Sequence, residues 1–222
     1  MSEDEAKVWL QTQFDVSRET KARLEGYVSL LLDEGERQNL IAESTRAHVW
    51  ARHIVDSAQL LLHAPQAQPE AKWIDLGSGA GLPGIVIAIL SGYQVTMIEM
   101  RRKRAEFLEA VVAALNLANA RIFCGKTERA ETPVPATVIS ARAYAPMERL
   151  IPSALHLANF STTWLLPKGQ NHQNELAIAQ RLWHCEASAE PSVTARDSAI
   201  LRLRHVQMQR RGAKTGKAGG RA

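Results

Sequence analysis

Cysteine is scarce in this sequence. Only Cys124 and Cys185 occur, far apart and without the paired spacing of a zinc site, which excludes a disulfide framework and points to no metal site. Long apolar runs are also missing: residues 82–90 form the longest, far short of the roughly 20 residues that a bilayer requires. Glu3, Asp4 and Glu5 come before any sustained apolar stretch. No signal peptide or membrane span is expected, and a cytoplasmic, reducing setting fits. Internal repeats are absent too. What is present is 45% apolar content in 222 residues, enough to bury one good core in a single α/β domain with a small extension.

Residues 1–64 read as a helical extension, with apolar positions at helical spacing over 8–14, 24–32 and 49–62, and with Ser17 and Thr45 as helix starts. The pattern then changes. Across 65–209 short apolar strands at 73–76, 95–99, 120–124, 137–140 and 163–166 alternate with helices at 83–90, 102–117, 147–158 and 174–183. Such alternation predicts right-handed crossovers and a mostly parallel sheet, to which 185–189 and 200–208 add two strands. Residues 210–222 carry Arg210, Arg211, Lys214, Lys217 and Arg221, four glycines and no acid. This basic tail is expected to be disordered when free, and suits either phosphate contact or plain solubility.

Between the first strand and its helix lies Asp75-Leu76-Gly77-Ser78-Gly79-Ala80-Gly81-Leu82-Pro83-Gly84, which admits two parses. From Gly79 it is Gly-x-Gly-x-x-Gly with Glu99 about 20 residues on, the spacing of a dinucleotide site, so an NAD-dependent oxidoreductase is admissible. From Asp75 it is Asp-x-Gly-x-Gly-x-Gly, and charge separates the two. A carboxylate near a pyrophosphate costs about 4 kcal/mol per unit pair at 4 Å with an effective dielectric of 20. S-adenosylmethionine instead offers an ammonium and a sulfonium, which Asp75 can attract directly or through water. Gly77 and Gly79 let the backbone approach the ligand, and Glu99 can accept from both ribose hydroxyls.

Two devices of nucleobase methylation are missing. No Asn/Asp-Pro-Pro-aromatic loop follows the fourth strand, where Ser140-Ala141-Arg142-Ala143-Tyr144-Ala145-Pro146 stands instead, and neither cysteine follows a proline as a cytosine-C5 nucleophile would. Taken together, Asn39-Leu40, Arg52-His53-Ile54-Val55-Asp56-Ser57, the loop ending Gly81-Leu82-Pro83-Gly84, Ser140-x-Arg142-Ala143 and Lys168-Gly169-Gln170 resemble the RsmG (GidB) family of ribosomal RNA small-subunit methyltransferases.

The resemblance implies a class I S-adenosylmethionine-dependent methyltransferase fold, a Rossmann-like seven-stranded sheet, and 7-methylguanosine formation in 16S rRNA. It also implies cofactor contacts from Gly77, Leu82, Thr127, Glu128 and Arg142, with Lys126 where the family often has arginine. No metal and no catalytic base are expected, because guanine nitrogen-7 has an in-plane lone pair and no proton to lose. Arg142 is a positioning candidate. Arg52, His53, Lys103, Arg104, Tyr144 and Lys168 are RNA-contact candidates, although Arg52 and Asp56 could simply pair along one helix. The expected partner is 16S rRNA or a small-subunit precursor, and a monomer is expected because no spare apolar helix face stands out in the sequence. A noncatalytic RNA-binding factor on the same fold is the other alternative.

Overall fold

The structure, a computed structural model, describes residues 1–209. The basic tail, 210–222, lies outside the described residues. Ser2 and Glu5 form a reciprocal cap that starts α1 (Glu3–Phe14). Ser17 starts α2 (Arg18–Glu34) by accepting from the Thr20 amide, as the sequence predicts.

Thr45 does not start a helix. It lies inside a 3-10 turn, Glu43–His48, where its hydroxyl donates to the Ala42 carbonyl. The helix expected over 49–62 is a succession of unlike windings: a π turn (Trp50–Val55), a short α3 (Asp56–Ala58) and a 3-10 turn (Gln59–Leu62). Apolar periodicity does not distinguish these windings, and here a tertiary partner bears on the choice. The Glu3 carboxylate accepts from the amides of Trp50 and Ala51 at 3.1 and 3.0 Å, satisfying two donors that a helix start leaves open. Such π turns are frequent at functional sites.

Strands and helices then alternate: β1 (Lys72–Leu76), α4 (Gly84–Leu90), β2 (Gln94–Glu99), α5 (Arg102–Ala114), β3 (Ala120–Cys124), β4 (Val138–Ala141), α6 (Met147–Ala154), β5 (Thr163–Lys168), α7 (His172–Leu182), β6 (Trp183–Pro191) and β7 (Ala199–Met208). Helix α5 stops short of its expected end, where Asn116 turns left-handed at φ 51°. The expected 147–158 helix tightens after Ala154 into a 3-10 turn.

The strands form one sheet in the order β3-β2-β1-β4-β5-β7-β6, with β7 antiparallel to both its neighbours and the other pairs parallel. Alternate residues of β1 feed opposite cores. Trp73 packs with the N-terminal helices, α4 and α5, and Ile74 with α6 and the β5–β7 side. Winding reverses between β1 and β4, so the ends of those strands open the crevice where ligands of such sheets bind. No helix of the described residues is long and apolar enough to cross a membrane.

The extension reaches that crevice through α2. Tyr27 is fully buried, and its hydroxyl donates to the Ala80 carbonyl of the glycine loop at 2.9 Å. Burial drives its ionisation far above the ordinary phenol range, so it stays a neutral donor. Tyr27→Phe leaves a buried carbonyl without its donor, and urea unfolding is expected to show a loss of about 1–3 kcal/mol. An unchanged midpoint would show that the hydroxyl does not hold the loop.

Candidate active site

Leaving β1, the chain turns through three glycines with positive φ: Gly77 at 64°, Gly79 at 56° and Gly81 at 94°. Space demands glycine as much as conformation does. A Cβ on Gly77 would lie 2.5 Å from the Tyr144 ring, and one on Gly81 would lie 2.6 Å from Ile85.

Asp75 is not at the mouth of a pocket. It is fully buried; its Oδ2 accepts from the Gly84 amide at 3.2 Å and its Oδ1 from the Ser140 hydroxyl at 2.7 Å. Ser140 in turn accepts from the Trp73 indole N–H at 2.8 Å. Burial pushes the Asp75 pKa up to about 6 against the pull of these hydrogen bonds. The direct attraction expected of it is therefore replaced by a structural hold on the loop, with its charge acting on a ligand from within.

Other loop amides are also engaged internally. Gly79 donates to Glu99 Oε2 at 2.9 Å and Ser78 to the Ile98 carbonyl at 3.1 Å. Pro83 has no amide hydrogen. A dinucleotide site needs such amides turned toward a pyrophosphate, and here the helix start is occupied by the chain's own carboxylate. The second parse of the loop thus gains a geometric reason beyond charge.

Beside the loop lies a cavity of about 220 Å³ lined by Gly77, Ile98, Met100, Gly125, Lys126, Thr127, Glu128 and Tyr144. Apolar walls from Ile98 and Met100, bare backbone at two glycines, and a hydroxyl with a carboxylate at Thr127 and Glu128 fit a purine nucleoside. Ile98, Met100 and Gly125 were not singled out by sequence; only their places at strand ends β2 and β3 could have found them. Glu99 is buried, with Oε2 on Gly79 and Oε1 on the Arg101 amide at 2.7 Å. Leu82 is buried among core residues and does not line this cavity.

A larger cleft of about 770 Å³ adjoins, with Arg52, Asp56, Arg142, Tyr144, Glu148 and Lys168 among its lining residues. Tyr144 faces both spaces. Its hydroxyl donates to Thr127 Oγ1 at 2.9 Å while its ring covers Gly77, so this RNA-contact candidate is a partition between them.

Arg142 is fixed from two sides. One terminal nitrogen meets Asp56 Oδ2 at 3.2 Å and the other meets His53 Nδ1 at 3.0 Å. A guanidinium only donates, so His53 Nδ1 accepts and the imidazole proton resides on Nε2. That nitrogen faces Thr45 Oγ1 at 2.8 Å, and the hydroxyl passes its own hydrogen to Ala42. Burial, then Arg142 and Arg52, hold the His53 pKa down at about 4. Asp56 Oδ1 accepts from Gln59 and from Thr194 of the β6–β7 turn. The Arg52–Asp56 pair that helical spacing allows does not form, because Asp56 faces Arg142 and Arg52 is left exposed on the cleft wall.

Lys168 is mostly buried and pairs with Glu175 at 2.7 Å. Lys103 and Arg104 lie apart from this cleft: Lys103 is exposed, and Arg104 donates to the Asn39 carbonyl at 3.0 Å with its guanidinium beside Gly79. Among the described residues, no group of three or more His, Cys, Asp or Glu could hold a metal ion.

Known proteins resemble this chain in both sequence and fold. The model of a family described as rRNA small subunit methyltransferase G, GidB, matches residues 20–204. The ribosomal RNA small subunit methyltransferase G of Zymomonas mobilis is 43% identical over 98% of this chain and 99% of its own length. That of Sphingopyxis alaskensis is 47% identical over 88% of this chain and 83% of its own. Among solved structures, a SAM dependent methyltransferase from Aquifex aeolicus covers 71% of this chain and 92% of its own at a TM-score of 0.54 and 11% identity. A putative S-adenosyl-L-methionine-dependent methyltransferase from Methanococcus maripaludis covers 80% and 92% at 0.55 and 12%. At such identities the solved structures speak for the fold, a class I methyltransferase sheet with helices on both faces.

The neutral state of His53 has a consequence for pH. The unfolded chain takes up a proton there near pH 6.5 while the folded chain resists until about 4, so this residue's contribution to stability falls as pH drops through that window. NMR titration is expected to place the His53 midpoint near 4, and His53→Gln is expected to flatten the loss of stability between pH 6.5 and 4. A midpoint near 6.5 would show that burial and the neighbouring arginines do not depress it.

Proposed function

Since the chain belongs to the rRNA small subunit methyltransferase G (GidB) family and is an S-adenosylmethionine-dependent rRNA methyltransferase, we propose that it methylates nitrogen-7 of a guanine in 16S rRNA. The observation that carries this reading is the Arg142–His53–Asp56 network. Both nitrogens of the His53 imidazole, buried beside Arg142, are engaged and Asp56 is tied to Arg142, Gln59 and Thr194. An exocyclic amine must shed a proton after methylation; nitrogen-7 attacks through its lone pair and sheds none. The buried groups beside Arg142 are thus locked in place, an arrangement that orients an acceptor and suits one that sheds no proton.

In this reading Gly77, Thr127 and Glu128 hold the adenosine, with Gly79, Leu82 and Glu99 shaping the loop and Asp75 holding it from beneath. When bound, S-adenosylmethionine would supply an electrophilic methyl on a cationic sulfonium. Arg142, oriented by His53 and Asp56, positions the acceptor at the partition formed by Tyr144. Alignment of this kind is worth several kcal/mol, up to about 7–11 in the best intramolecular cases. Arg52 contacts RNA phosphate from the cleft wall. Lys168 steadies that wall through Glu175, and Lys103 and Arg104 act at the start of α5, Arg104 next to the glycine loop. The substrate is 16S rRNA or a small-subunit precursor, met by a monomer in the cytoplasm.

Incubation with methyl-labelled S-adenosylmethionine and 16S rRNA or small subunits, followed by nucleoside mapping, is expected to place the label on guanine nitrogen-7. Label on an exocyclic amine or on a pyrimidine would refute the assignment, and no transfer at all would favour a noncatalytic RNA-binding role.

A further inference from the structure

The acceptor cleft pairs most of its own charges and leaves two of opposite sign over. Among the described residues, its charged lining consists of Arg52, Asp56, Arg142, Glu148, Lys168 and Glu175. Arg142 pairs with Asp56 and Lys168 with Glu175. Arg52 and Glu148 are exposed and have no hydrogen-bond or ion-pair partner among the described residues. Glu148 lies in the first turn of α6, directly after the segment that carries Arg142 and Tyr144.

We infer that Glu148 is the residue that reads the acceptor base as guanine, through its Watson–Crick edge. This rests on the nitrogen-7 reading above. Adenine also has a nitrogen-7 with a lone pair, so nucleophilicity alone does not select guanine. The bases differ on the opposite edge: guanine presents N1–H and N2–H as adjacent donors, whereas adenine N1 is an acceptor. A carboxylate is acceptor-only, so it matches the first edge and opposes the second. Asp56 and Glu175 are committed to cations, which leaves Glu148 as the cleft's available carboxylate.

The charge balance of the reaction points the same way. On gaining a methyl at nitrogen-7, the purine takes over the positive charge that the sulfonium gives up, and no proton moves. The N1–H and N2–H bonds become better donors as that charge develops, so a carboxylate there binds the transition state more tightly than the ground state. Arg52, the unpaired cation, complements the phosphate of the same nucleotide.

An acid in the first turn of a helix also offsets the macrodipole, so the test must move something that helix stability does not. Two 16S rRNA substrates serve, one with guanosine and one with inosine at the mapped nucleotide, inosine lacking the 2-amino group. The wild-type chain is expected to prefer guanosine by roughly ten- to a hundredfold in kcat/KM, the range of a hydrogen bond to a charged group. In Glu148→Ala that preference collapses toward unity, kcat on guanosine falls by a similar factor, and RNA Kd by filter binding shifts by less than about threefold; Glu148→Asp restores part of the preference. A Glu148→Ala protein that keeps the wild-type guanosine-to-inosine ratio overturns the assignment. Product mapping separates the failures, since wild-type label away from guanine nitrogen-7 removes the underlying reading, and this inference with it.

Discussion

A carboxylate buried where β1 ends is the constraint on which the site depends. Asp75 takes hydrogen bonds from Ser140 on β4 and from Gly84 at the start of α4, while Ser140 also receives the Trp73 indole. One acid thus fixes the spacing of the two strands that bound the crevice and the direction in which the glycine loop enters its helix. Losing one partner of such a group is costly, because the remaining buried polar atoms have no water to turn to. Its pKa of about 6 leaves it mostly ionised at neutral pH. A negative charge therefore stays beneath a loop whose ligand is cationic.

Arg142 connects three parts of the chain that are distant in sequence. His53 and Asp56 come from the extension, Arg142 from the end of β4, and Thr194 reaches Asp56 from the turn between β6 and β7. Gln59 closes the same junction by bonding Asp56, Ser192 and the Val193 amide. Ion pairs removed from water contribute little net stability, since desolvation offsets their attraction. Their effect here is orientation: the guanidinium is held by the planes of an imidazole and a carboxylate, each itself held by further hydrogen bonds. The extension is accordingly part of the site, and Tyr27 adds a second tie by bonding the loop from behind.

Much of this was legible in the sequence where local rules decide. Strand–helix alternation gave the order of elements, the Ser17 cap gave the start of α2, and Gly77, Gly79 and Gly81 marked a turn that requires positive φ. Where a distant partner decides, the sequence was silent. The π turn at 50–55 begins where Glu3 meets the Trp50 and Ala51 amides, a contact across more than forty residues. The pairing of Asp56 with Arg142 rather than Arg52 arises from the same winding and from β4 ending where it does. Asp75 shows the subtler limit: motif and charge identified the acid, but only burial showed that it works through Gly84 and Ser140.

Glu99 repeats the device of Asp75 one strand over and explains an oddity of α5. Four consecutive cations, Arg101 to Arg104, open that helix against its macrodipole. Glu99 stands at the same end, buried, accepting from the Arg101 amide with one oxygen and from Gly79 with the other. Its charge is placed where the helix start favours an anion, and the cations disperse: Arg102 pairs with Glu106, and Arg104 turns to the Asn39 carbonyl beside the loop. Each acid thus joins one loop amide to one neighbouring element. A carboxylate has more lone pairs than two amides use, so a ribose contact of Glu99, as proposed for this site, would not require it to release the loop. Two carboxylates fixed under the glycine backbone make a seat that favours a cationic donor before any contact with its adenine is made.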